Sequence, residues 1–335
     1  ACYNYARFLP TAVASALTQQ GVQVDVTIVD DASTDESLLV AHRLADRDER
    51  VRVVALARNS GPVVAATEAL SRARSPYVVK LDADDALPAG SLAHSAALLD
   101  AVPAVSLVYG RVDTFTEAPP TERPRRVRAW RIWAGEEWLA TRFRRPHATI
   151  RQPEAMMRRS ALDVVGTMRP HIVAASDFAM WLRLATVGSV GYIAGPTQGY
   201  YRVHAASLQR TVHAGLLHDL RERVLAFDCL FDERWNALSD PAGFQRRARR
   251  SLARDAVRLA ARALDHRAED EPIDAYLALA REQDPGVTAT AAWMAVAGRR
   301  AVGRRAPALA ARTPGAAARE VEDRVRWRRW RWSGI

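Results

Sequence analysis

Tyr77-Val78-Val79-Lys80-Leu81-Asp82-Ala83-Asp84-Asp85 is the stretch that decides the fold. Tyr77 to Leu81 reads as a short buried strand, and three carboxylates within four residues stop it. Before it, Val51 to Leu56 is a second strand. Arg58-Asn59-Ser60-Gly61-Pro62 then turns the chain into a helix ending near Arg74. Earlier still, Val24 to Val29 is an apolar strand ending at Asp30-Asp31. Ser33 opens the helix that follows, with Glu36 at capping-box spacing. Arg7 to Gln20 has helical periodicity, with Phe8, Val13, Ala16 and Leu17 on one face. On the far side, a helix runs from Ser91 to about Asp100 and a strand from Val105 to Tyr109. Strands alternating with helices in this way predict βαβ units and an α/β fold built on a mostly parallel sheet flanked by helices.

Beyond residue 113 the period weakens. Residues 113–150 are rich in Pro and Arg and carry Trp130, Trp133 and Trp138. These indoles suit a sugar-stacking wall, a lid or core packing equally. Ala155 to Met157 and Ser189 to Ile193 read as strands, and Ser176-Asp177 opens a helix reaching about Val187. From about residue 213 the composition turns to Ala, Arg and Leu with helical period. The expected organisation is therefore an α/β domain over 1–212 and a helical C-terminal appendage over 213–335. At the other end, Ala1-Cys2-Tyr3-Asn4 reads as the end of a strand whose beginning is missing.

Composition narrows the classes further. With 335 residues, 49% of them hydrophobic, the chain can bury a large core. Its net charge is +10, and Lys80 is the single lysine among 48 cationic side chains, so part of that charge reflects an arginine-rich composition. A basic surface favours anionic partners such as nucleoside diphosphates. Two distant cysteines, Cys2 and Cys229, fit a reducing compartment rather than a disulfide framework. No apolar run approaches the roughly 18 residues that span a bilayer, and the opening residues show no secretory pattern.

Open α/β sheets bind ligands at the carboxyl ends of their strands, and three acidic groups fall there. Asp30-Asp31 can accept hydrogen bonds from a nucleobase edge, with Tyr3 placed to stack on the same base. Asp82, Asp84 and Asp85 repel one another unless a cation or solvent relieves them. Hard Mg²⁺ or Mn²⁺ suits such a cluster, since these ions join one or two carboxylates to phosphate oxygens. A solvated acidic turn before Pro88 and Gly90 is the other reading that these residues allow. Asp177 lies near a helix start, where the dipole favours the ionised form that a general base needs. Helix capping explains the same placement.

Taken together, Tyr3-Asn4, Asp30-Asp31-Ala32-Ser33-Thr34-Asp35, Asn59-x-Gly61, Asp82-Ala83-Asp84-Asp85 and Asp177-Phe178-Ala179-Met180-Trp181-Leu182-Arg183 occur in an order and spacing that closely resemble family 2 of the glycosyltransferases. These are inverting enzymes of the GT-A fold. The resemblance extends to Tyr201-Arg202-Val203-His204 and Ser207. It implies a nucleotide-diphosphate sugar donor and a divalent cation, Mg²⁺ or Mn²⁺. Tyr3, Asp30 and Asp31 would face the donor base, and Asp82 and Asp84 the ribose and diphosphate. Asp84 and Asp85 would hold the metal, Asp177 would be the catalytic base, and Arg202 and His204 would lie on a loop closing over the diphosphate. Two positions depart from the family pattern. Ala66-Thr67 stands where an arginine and an asparagine are usual, and Ser176 replaces the usual acidic residue before the base. The resemblance also makes the missing first strand a central one, so an inactive relic is an alternative to an active enzyme.

Other classes fare worse. A nucleotidyltransferase would place a glycine-rich basic loop where Tyr3-Asn4-Tyr5 stands. Neither a Walker A loop nor G-x-G-x-x-G is present. The arginines are dispersed and form no nucleic-acid module, so no specific nucleic-acid partner is expected. The acceptor is a glycan, a lipid-linked sugar or a small molecule. The tail from Arg326 to Trp332 alternates arginine and tryptophan, a composition suited to anionic membrane surfaces. The expected place is therefore the cytoplasm or the inner face of the cell membrane.

Overall fold

The computed structural model describes residues 1–121, 126–204, 215–265, 272–305 and 334–335. The chain divides into two compact units. One holds Ala1–Trp138, Ala148–Val212 and Gly334, and the other Leu139–His147, His213–Ser333 and Ile335.

In the first unit, α1 (Leu9–Leu17), β1 (Val26–Asp30), α2 (Ser37–Arg47), β2 (Val51–Ala55), α3 (Pro62–Arg72) and β3 (Tyr77–Val78) alternate as the sequence predicts. After them come α4 (Ser91–Ala101), β4 (Val105–Phe115), β5 (Ala129–Trp133), α5 (Gly135–Arg144), β6 (Met156–Arg158), α6 (Arg159–Val165), α7 (Ser176–Leu184) and β7 (Ser189–Arg202). α5 continues into the second unit. β1 and β2 pair in parallel. The other five strands form one sheet in the order β3-β6-β4-β7-β5.

That sheet is mixed. β4 and β7 run parallel, whereas β6 lies antiparallel to both β3 and β4, and β5 lies antiparallel to β7. The α/β class stands, and the antiparallel members come from the part of the sequence where the period was weakest. β5 forms within the Pro/Arg-rich stretch. As an edge strand it leaves Trp130 and Ile132 exposed on one face. Because strand side chains alternate, Trp133 lies on the other face beside Tyr192. Trp138 is core, donating its indole N–H to the Tyr109 hydroxyl. The three indoles therefore do not form one wall.

The Ser33–Glu36 capping box does not form. Glu36 is the N-cap of α2 without a side-chain bond, and the helix starts at Ser37. Ser33 instead donates to Asp30, while Asp35 accepts from the Ser37 N–H. A buried carboxylate at the strand end thus takes the serine that would otherwise cap the helix.

Hydrophobic clusters hold this unit. One gathers Cys2, Leu9, Val13, Ile28, Ala41, Val51 and Ala83, another Leu98, Leu99, Val105, Val108, Met156 and Ile193, and a smaller one Ala86, Phe115 and Tyr200. Between β1 and β3 lies a largely apolar groove of about 340 Å³. Val26 N–H and Asp30 C=O are used towards β2, so the alternating peptide groups of Thr27 and Val29 face the other way. There Cys2 N–H donates to the Val29 carbonyl and Cys2 C=O accepts from Asp31, a single parallel bridge. Thr27, Tyr77 and Val79 line the groove, as do Leu9 and Val13 of α1.

The second unit is helical: the end of α5, then α8 (Leu216–Arg234), α9 (Pro241–Asp265), α10 (Ile273–Gln283) and α11 (Ala291–Arg305). Phe143 stacks on Phe231 and Phe244, and the buried Arg223 pairs with Asp255 at 2.9 Å. The tail from Arg326 to Trp332 lies outside the described residues, as does Ser207. Among the described residues no helix is long and apolar enough to cross a membrane.

Candidate active site

The site grows from the end of β3. Asp85 N–H donates to the Asp82 carbonyl, turning the chain sharply after Leu81. Ala86 and Tyr200 then exchange two backbone bonds, which fastens this turn to the end of β7. The turn therefore cannot splay to separate its carboxylates.

Asp85 is 0% exposed. Its Oδ1 accepts the Arg202 backbone N–H at 2.8 Å, and its Oδ2 is buried without a hydrogen-bond partner. Burial first, then Asp82 and Asp84, push its carboxyl well above the usual range. Asp84 is raised too, by burial and by Asp82, while His204 Nε2 lies 3.0 Å from its Oδ2 and opposes the rise. Lys80 forms an ion pair with Asp82.

An oxygen atom left unsatisfied beside two further carboxylates is costly unless a cation enters. Asp84 and Asp85 thus fit a hard divalent ion. Among the described residues no three His, Cys, Asp or Glu side chains are gathered as a metal cage. An ion here would complete its shell with phosphate oxygens and water, as Mg²⁺ usually does.

Arg202 is 3% exposed and lies between the rings of Phe8 and Phe115, at 4.5 and 4.3 Å. Its Nε donates to the Asp84 carbonyl at 2.7 Å, and its terminal nitrogen to the Thr116 and Glu117 carbonyls. In this arrangement Arg202 clamps the acidic turn to the strand ends. His204 packs on Phe8 and Tyr5, at 4.9 and 5.8 Å between ring centres.

On the other side, the ends of β1 and β2 and the loop after Cys2 are knitted together. The Asp30 carboxylate accepts from Ser33 N–H and Oγ, which holds Ala32 at φ 55°. Asp31 accepts from the N–H groups of Ser60 and Gly61, at 2.7 and 2.9 Å. The side chain of Asn4, itself at φ 56°, accepts from Thr34 and Asp35. Both aspartates are buried, so their first task is to fix the loops. Tyr3 beside them is 40% exposed and presents its ring to solvent.

Asp177 sits in the first turn of α7, where its Oδ1 accepts the Phe178 N–H at 2.7 Å. Burial pushes its carboxyl up to about 6, partly offset by that bond and by Lys80, with Asp82 acting in the same sense as burial. Asp177 therefore shares an electrostatic environment with the acidic turn, although about 95 residues of sequence separate them. Sequence reading missed Lys80 and Tyr5 as members of this site. The Tyr5 hydroxyl is pushed up from its ordinary value by burial, then by Asp84 and Asp82. The signal for Lys80 lay in composition, as the one lysine of the chain.

A mixed sheet with flanking helices, an acidic turn at its strand ends and a further carboxylate in the first turn of a helix define the class of GT-A glycosyltransferases. Residues 1–166 match the family model "Glycosyl transferase family 2". That stretch accordingly belongs to the family. It is 35% identical over 128 residues to the succinoglycan biosynthesis protein ExoU of Rhizobium meliloti, covering 35% of this chain and 37% of that protein. It is 41% identical over 83 residues to the putative teichuronic acid biosynthesis glycosyltransferase TuaG of Bacillus subtilis, covering 25% and 33%. The matched stretch thus spans well under half the length of these curated relatives.

Solved structures share the fold. S. aureus TarS in complex with UDP-GlcNAc superposes with a TM-score of 0.53 at 15% identity, over 85% of this chain and 90% of that one. The mannosyltransferase PcManGT from Pyrobaculum calidifontis, in complex with GDP-Man and Mn²⁺, gives 0.50 at 18%, over 91% and 79%.

Proposed function

We propose that the chain is an inverting glycosyltransferase that moves a sugar from a nucleotide-diphosphate donor to an acceptor hydroxyl. The observation that carries this reading is the unsatisfied, buried Oδ2 of Asp85 within the carboxylate cluster at the strand ends. In this reading Tyr3 stacks on the donor base beside Asp31. Asp82 and Asp84 orient the ribose and diphosphate, and Asp84 and Asp85 hold Mn²⁺ or Mg²⁺. The ion supplies charge neutralisation for the departing diphosphate.

Asp177 accepts the proton of the acceptor hydroxyl. The acceptor oxygen then bonds to the anomeric carbon as the bond from that carbon to the diphosphate oxygen breaks, and the electron pair leaves with the diphosphate. One displacement inverts the centre. A carboxyl titrating near 6 is ionised at neutral pH yet basic enough to take a proton in the transition state.

Glycan or lipid-linked acceptors are favoured by the relatives named for polysaccharide biosynthesis, ExoU and TuaG. In this reading the Arg326–Trp332 tail, whose sequence alternates arginine and tryptophan, holds the enzyme at the inner face of the membrane. That placement is checked by sedimentation with anionic vesicles, comparing the whole chain with one ending at Asp323. Loss of binding on truncation supports it, and equal recovery in the supernatant contradicts it. The activity itself is tested with a panel of UDP- and GDP-sugars, reading nucleoside diphosphate release with Mn²⁺. Release from at least one donor, lost in Asp177→Asn, is expected. No release from any donor would overturn the reading.

A further inference from the structure

The ring of Phe8, at the N-cap of α1, gathers three basic side chains. The Arg7 guanidinium lies 4.3 Å from its centre and that of Arg202 4.5 Å, and His204 packs on it at 4.9 Å. His204 Nε2 in turn lies 3.0 Å from Asp84 Oδ2, so an unbroken run of contacts joins Arg7 to the acidic turn.

Arg202 is the cation that the sequence points to for a diphosphate, yet it is engaged inside the fold. Its nitrogens donate to the carbonyls of Asp84, Thr116 and Glu117, and the rings of Phe8 and Phe115 cover it. A phosphate could not reach that fork without breaking those bonds. His204 is taken by Asp84, and Lys80 by Asp82. Arg151 lies 4.5 Å over Tyr201, which strand alternation puts on the face of β7 away from Arg202. Arg7 differs from all of these. It is exposed, and its side chain makes no hydrogen bond or ion pair among the described residues. Its place is nonetheless fixed, because Ala6 N–H donates to Asp35 at 3.3 Å and Phe8 N–H to the Tyr5 carbonyl at 2.9 Å.

We propose that Arg7 is a further donor-binding residue, whose guanidinium takes the β-phosphate of a nucleoside diphosphate held at the acidic turn. This rests on the reading of that turn as the site of the cation and the diphosphate. A nucleoside diphosphate bound through one divalent ion keeps a net negative charge. A planar fork resting on an aromatic face suits the paired oxygens of its terminal phosphate. Tyr3, read as stacking on the base, lies on the same loop as Arg7. One loop thus meets the nucleotide at both ends.

The test is isothermal titration of UDP, GDP, UMP and GMP, with Mn²⁺, into the whole chain and into Arg7→Gln. A hydrogen bond between charged groups contributes about tenfold or more in affinity, so Arg7→Gln should weaken the diphosphates about tenfold. The monophosphates should stay near their wild-type affinity. Arg7→Lys keeps the charge without the fork and should recover part of the loss. If Arg7→Gln does not fold, Arg7→Met removes the same charge with a side chain that packs on Phe8. A variant without the charge that binds UDP and GDP as wild type does, with its Mn²⁺ response intact, overturns the proposal and leaves the reading of the acidic turn standing. A loss shared equally by mono- and diphosphates also overturns it, since that marks a loosened loop. If the wild-type chain binds no nucleotide, the reading and the proposal fall together.

Discussion

Asp177 stands in the first turn of a helix and, in the proposed function, is the base, two roles that a sequence alone does not separate. The rise of its carboxyl to about 6 bears on them, because the two roles predict opposite stability effects. An acid whose folded value lies above its ordinary 3.8 binds protons more tightly when folded, so stability falls as pH rises from about 3.8 to about 6. At pH 7 the ionised side chain is thus a burden on the fold. Asp177→Asn keeps an oxygen for the Phe178 N–H and sheds the charge. It is expected to hold or raise Tm at pH 7 while lowering turnover by about 10²–10⁴-fold. Wild-type turnover should fall as pH drops through about 6. A lowered Tm with normal turnover per folded molecule would make Asp177 a cap alone. The identity of each acidic residue was legible in the sequence. What it could not show was that the Asp30 and Asp31 carboxylates are occupied by Ser33, Ser60 and Gly61, since those partners are set by loop conformation.

Among the elements, α3 and the turn before it show how a strand end becomes a binding edge. Gly61 sits at φ 91°, a region open essentially to glycine, and its N–H is held by Asp31. A methyl group at Gly61 would meet nothing within 4 Å, so a substitution there strains only the backbone. Gly61→Ala is expected to cost about 1–3 kcal/mol in chemical denaturation. It should also weaken nucleotide binding by loosening Asp31, and an unchanged midpoint would show that the turn is not under strain. The strands β1 and β2 and the helices between them were legible from apolar runs and turn residues. β5 was not, because an edge strand with a tryptophan on each face and Arg131 between them lacks the two-residue alternation that marks a half-buried strand. The full length of β7 was hidden too: Gly195, Pro196 and Gly199 read as breakers, yet the strand passes through them with register shifts against β4.

At the scale of the molecule, the groove between β1 and β3 separates the two sheets of the first unit. On the side of β1 turned away from β2, Cys2 N–H donates to the Val29 carbonyl and Asp31 N–H to the Cys2 carbonyl. Cys2→Pro would remove the N–H that donates to the Val29 carbonyl and is expected to lower Tm by a few degrees. An unchanged Tm would show that this bridge does not hold the opening residues on β1.

In the proposed function the carboxylate cluster is a site for a cation and a nucleoside diphosphate. Isothermal titration of UDP and GDP into the chain, with Mn²⁺ and then with chelator, tests it most directly. Binding of at least one nucleotide with Mn²⁺, weakened at least tenfold by chelator and insensitive to chelator in Asp85→Ala, is the expected result. Equal affinity with and without Mn²⁺ in the wild-type chain, or no binding of either nucleotide, would contradict it.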